Sequence, residues 1–166
     1  MSNINDDQGN TCSFVATGAV AGTTSTFTST VTSSAMIDGV FATALTAQTN
    51  AATPTTDWAT GLVFNALAPN QTCVVIFGIS ASGTLRMVQG PALATAIGVT
   101  TTVGAFINAP QFPGLPDDFV PLAYTIVRTA PSAAAWTPGT SSWTASGVSA
   151  STFRQLGQIP KRPQVL

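Results

Sequence analysis

The sequence predicts an all-β, single-domain protein: an antiparallel β-sandwich, jelly roll or small barrel with an extended N-terminal arm. Three observations carry this. Short runs of β-branched and aromatic residues recur about every ten residues, with Gly, Pro, Asn and Asp turn signals between them. No apolar periodicity of the helical kind is sustained over three turns. The length of 166 residues suits one domain, which at this size buries about 70% of its unfolded surface and needs no staples.

Taken in order, residues 1–23 are polar, small and Gly-containing, which predicts an arm rather than a core element. The β domain then spans 24–158, and an extended, proline-stiffened tail covers 159–166. The run from Thr24 to Thr32 is dense in Thr and Ser with Phe27 and Val31, residues that favour a pleated surface. Asp38-Gly39, between Met36-Ile37 and Val40–Leu45, is a hairpin signal, because a type I′ turn needs positive φ at both central positions. Residues 48–61 are expected to be a loop. Leu62-Val63-Phe64 and Cys73–Ile79 read as strands across a Pro69-Asn70 turn. The second is a continuous apolar run, as in a strand covered on both faces.

Ser80–Gly83 closes a further hairpin into Thr84–Gln89, where Leu85 and Met87 alternate with Arg86 and Val88. Pro91–Ile97 is the one place where a helical turn is expected, and Val99–Ile107 is weakly strand-like. Pro110, Pro113 and Pro116 stiffen a crossing segment and forbid a regular ladder there. Strands are expected at Val120–Arg128, which carries Tyr124, and at Val148–Phe153.

Chemistry is scarce. Only 7% of residues are charged, against about 25% in an average protein. The five cations and six acids give a net charge of −1. With no basic patch, binding to nucleic acid is not expected. Histidine is absent, and every acid is an aspartate, so the commonest general base and transition-metal ligand are missing. Asp117-Asp118 point to opposite faces if extended and read as a turn cap rather than a catalytic pair. No Asp-x-Asp-x-Asp spacing suggests calcium, and Gly18–Gly22 lacks the Lys-Ser/Thr of a phosphate loop. No enzyme, cofactor or metal is therefore expected.

The two cysteines, Cys12 and Cys73, form no framework. Cys73 reads as a buried hydrophobe, and a bond between the two is left open. No apolar stretch approaches a membrane span. Met1–Asn10 is unlike a signal peptide, which predicts synthesis in a host cytoplasm without export.

The candidate interaction residues are Trp136, Trp143, Phe112, Pro160 and Arg162. The two tryptophans lie in a Gly/Ser/Pro-rich stretch and either form an exposed interface or close one end of the core. Phe112 sits in the proline-rich crossing, and Pro160 and Arg162 on the tail. Unprotected strand edges in a chain so poor in Lys independently predict self-association.

Three further stretches suggest a family. They are Ala51-Ala52-Thr53-Pro54-Thr55-Thr56-Asp57; Ala109-Pro110-Gln111-Phe112-Pro113 leading through Leu115-Pro116-Asp117 to Tyr124; and Trp136 followed by Gly139-Thr140-Ser141-Ser142-Trp143, closed by Ile159-Pro160-Lys161-Arg162-Pro163-Gln164. Together, over roughly residues 24–165, they resemble the small capsid-decoration (cement) proteins encoded beside the major capsid protein in tailed bacteriophages. The resemblance implies a virion protein on the capsid exterior, commonly a homotrimer, with the major capsid protein as partner. The competing expectation is a fibre or adhesin-type β module that binds a cell-surface glycan.

Overall fold

The longest apolar run in the sequence becomes the centre of the molecule. The computed structural model describes residues 11–157. Its strands are β1 (Cys12–Ser13), β2 (Val20–Ala21), β3 (Phe27–Ser29), β4 (Ala35–Ile37), β5 (Val40–Phe41), β6 (Gln48–Ala51), β7 (Gln71–Ser80), β8 (Leu85–Gln89), β9 (Leu93–Ala94), β10 (Phe119–Thr129), β11 (Val148–Ala150) and β12 (Arg154–Gln155). No helix occurs among the described residues. The strands form an antiparallel β-sandwich that does not close into a barrel.

β7 and β10 pair antiparallel along almost their whole lengths, from Thr72↔Arg128 to Ser80↔Phe119. They lie at the middle of a six-stranded sheet with the order β11-β10-β7-β8, while β9 joins β7 and β12 joins β10. Both are buried on both faces, which is why they lack polar alternation. Pro121 sits inside β10, where its missing N–H would break a regular ladder. The register shifts there, between Pro121 and Ala123. Proline is tolerated in a sheet interior only at such an irregularity.

One face of this sheet packs on β2-β3-β6, with Phe27 stacked on Phe77 at 5.1 Å between centroids. Farther along, Ile79, Val120 and Leu122 pack with Ala35 and Ile37 of β4. The opposite face buries Val74, Ile76, Val88, Tyr124 and Ile126 under Trp58, Phe106, Phe112 and Leu115. Three buried hydroxyls along these strands are satisfied: Thr72 donates to Val127 O (2.8 Å), Thr125 to Ser151 O (2.7 Å) and Thr129 to Ala68 O (2.6 Å).

Several expectations need correcting. Pro91–Ile97 is not helical: Leu93 and Ala94 pair with Thr72 and Gln71, so sheet pairing overrides the Ala/Leu propensity of the segment. The loop expected over 48–61 begins with β6, which pairs with β3. Leu62–Phe64 and Val99–Ile107 hold only isolated bridges, Thr56↔Val63, Val99↔Thr102 and Thr95↔Phe106. The run from Val148 to Phe153 is a strand only as far as Ala150.

The arm expected over 1–23 is, from residue 11 onward, built into the sandwich. Cys12 and Ser13 pair with Met36 and Ala35, and Thr17 and Ala19 are buried. Both hairpins are present. At the first, Asp38 (φ 49°) and Gly39 (φ 77°) take the positive angles a type I′ turn requires. Gly83 (φ 74°) closes the second, between Ser80 and Thr84.

Candidate functional site

Trp136 and Trp143 are core residues, not an exposed interface. Their exposures are 1% and 3%, and their rings lie 5.3 Å apart. Each indole N–H finds a backbone acceptor, Trp136 at Ser142 O (2.9 Å) and Trp143 at Thr26 O (3.0 Å). That satisfaction is what allows a tryptophan to be buried. Together with Phe27, Phe77 and Phe153 they close one end of the core. Phe112 is half-buried, edge-on to Tyr124 at 5.0 Å. Pro160, Arg162 and the tail expected over 159–166 lie outside the described residues.

Cys12 and Cys73 are both free. Burial pushes the Cys73 thiol up to about 12, with a weak opposing contact from Gln89 Nε2 at 3.8 Å. A thiol so disfavoured as thiolate is a packing element. Among the described residues no group of three His, Cys, Asp or Glu side chains is placed to hold a metal ion. No described helix is long and apolar enough to cross a membrane.

The geometry instead builds a cap and a corner. β8 is the last strand on its side of the six-stranded sheet, and residues 56–65 cover its outer edge. Trp58 N donates to Met87 O (2.9 Å), Asn65 N to Gln89 Oε1 (2.9 Å), and Gln89 Nε2 to Asn65 O (2.9 Å). Asp57 lies beneath this cap. It is buried, and its carboxylate accepts from the backbone amides of Ala59 (2.9 Å to Oδ1) and Gln89. Burial raises the Asp57 carboxyl above its ordinary value, and the two amides oppose that rise. The unprotected edge expected from the sequence is thus covered here by the chain's own loop.

Beside the cap, the Arg86 guanidinium lies on the Trp58 ring, 3.9 Å from its centroid. Trp58 Nε1 donates to Asp118 Oδ1 at 3.0 Å. The Arg86 side chain makes no hydrogen bond or ion pair among the described residues, and its Nε is shielded from solvent without an acceptor. Leu62 and Val63, in the same cap, are 68% and 75% exposed. A second apolar group lies on the Asp38-Gly39 hairpin, where Val40 and Phe41 are 69% and 71% exposed and Phe14 meets Phe41 at 6.0 Å. Ile97, Val99 and Ile107 form a third exposed set, around the turns that follow β9.

None of these exposed residues was singled out from the sequence. Arg86 carried the one available signal, a cation on a strand face shared with Val88 in a chain with five cations. Trp58 gave none, since a tryptophan in a Thr-rich loop suits a lid as well as a surface. No protein-family model matches the chain, and no curated protein or solved structure matches it either.

Proposed function

We propose that this chain is a non-catalytic structural protein of the virion that decorates the outer surface of a tailed-phage capsid and stabilises it by bridging major capsid subunits. One observation supports the reading above the rest. Large apolar side chains stand in solvent in three separate places on a sandwich whose own core is filled, in a chain with 7% charged residues. Single exposed apolar residues are ordinary, but grouped ones mark surfaces that a partner covers. A subunit that clamps neighbours needs several such contacts and no reacting group. Contacts of this kind, apolar and hydroxyl-rich, lose little strength in salt.

The glycan-binding alternative loses its strongest candidates, because Trp136 and Trp143 are buried and offer no stacking face.

The test uses tailed-phage capsids that lack this chain. Adding the chain is expected to raise the temperature at which these shells rupture. Replacing Val40 and Phe41 by Ser should diminish that gain. Shells whose rupture temperature is unmoved by saturating amounts of the folded chain would count against the proposal.

A further inference from the structure

Charge is rare in this chain, yet Arg86 and Asp118 both contact Trp58, and Asp117 directly precedes Asp118. The donors and acceptors there do not satisfy each other. The Arg86 guanidinium stacks on the indole without hydrogen-bonding, Asp118 accepts through one oxygen from Trp58 Nε1, and the exposed Asp117 makes no side-chain bond. Leu62 and Val63 stand exposed in the loop that carries Trp58.

Arg and Trp are the side chains most enriched where interfaces derive their affinity. An apolar centre with a polar rim is the usual anatomy of such a surface.

We propose that this corner is a self-association surface, where Arg86 of one copy meets Asp117 of the partner subunit while Leu62, Val63 and the edge of Trp58 are covered. The mixture of charges selects the occupant. A simple anion drawn to Arg86 would face two carboxylates, and a simple cation drawn to the carboxylates would face the guanidinium. A second copy answers both signs at once. Since Arg86 and Asp118 both contact Trp58 on each subunit, copies must meet corner to corner, so the symmetry axis of the assembly passes close to Trp58.

This deepens the capsid reading by naming a surface for the self-association it expects, and it is tested without shells. Sedimentation velocity of the full chain at micromolar concentrations should show an oligomer that loosens as salt is raised. Arg86→Glu and Asp117→Lys should each weaken association by about tenfold or more. Where two copies meet across a two-fold axis, an equimolar mixture of the two variants should recover it, because the exchanged charges again face opposite partners. Asp117 is exposed and without a side-chain bond, so its variant tests the surface without disturbing the core. Leu62→Ser with Val63→Ser should weaken association, whereas Val40→Ser with Phe41→Ser should not.

A wild-type chain that stays monomeric overturns the proposal, and so does an oligomer indifferent to Asp117→Lys and to the Leu62/Val63 pair. A monomer that still raises the rupture temperature of shells would overturn this surface alone and leave the decoration role standing.

Discussion

Two glycines show how differently one substitution acts at two positions. Gly78 lies in the middle of β7 opposite Pro121, where an added Cβ would overlap the Val120 carbonyl oxygen and the Phe119 ring. Gly78→Ala is therefore expected to cost about 1–3 kcal/mol by overpacking. At Gly39 nothing lies within 4 Å of an added Cβ, and only the positive φ of 77° resists it. Gly39→Ala should cost about 1–2 kcal/mol, through the backbone alone. Urea denaturation of the two variants checks both figures, and a neutral Gly78→Ala would contradict the packing described for β7.

The Cys73 thiol, pushed up to about 12 by burial, should resist alkylation at pH 8 in the native protein and react once the chain is unfolded. Mass spectrometry of labelled samples reads this directly, and native labelling of Cys73 would contradict its burial. At this scale the sequence told much about Cys73, because a thiol that opens the run Val74–Phe77 has nowhere else to go. It told less about Trp136 and Trp143. Their Gly/Ser/Pro-rich surroundings suit a surface loop, and what buries them is distant in sequence: Thr26, whose carbonyl accepts from Trp143, is 117 residues away.

Among the elements, the cap over β8 makes the sharpest prediction. The folded state holds the proton on Asp57 to a higher pH than the unfolded chain does, because burial raises this carboxyl. Its contribution to stability is fully present below the ordinary aspartate value of 3.8 and is lost as pH rises through the raised value. Asparagine keeps an acceptor oxygen for the Ala59 and Gln89 amides and does not ionise. The stability of Asp57→Asn relative to wild type should therefore improve as pH goes from about 3 to about 7. Thermal melts of both proteins across that range test it. A difference that is flat with pH would show that the amides cancel burial at this carboxyl, and one that moves the other way that they outweigh it.

The elements most legible in the sequence were those fixed by local chemistry. The Asp38-Gly39 turn needs two positive φ angles, and the apolar run at 73–79 has to be covered on both sides. The segments misjudged were those whose partners lie far along the chain. Leu93 and Ala94 are strand because Gln71 and Thr72 are free to pair with them. Gln48–Ala51 is strand because Phe27–Ser29 is beside it.

For the molecule as a whole, the all-β class was written in the β-branched runs and their turns, whereas the way three sheets stack around β7 and β10 was not. The surface was legible only as a poverty of charge. Which apolar residues it exposes depends on where the sandwich ends, so Phe41, Leu62 and Ile97 could not be told from core residues by type.

On the proposed reading, these surfaces are covered by other subunits on a capsid. Co-sedimentation of the chain with capsids that lack it tests this most directly. Saturable binding is expected at micromolar concentration, in a fixed ratio of chain to capsid subunits and largely insensitive to moderate salt. A folded chain that stays in the supernatant at every concentration would contradict it.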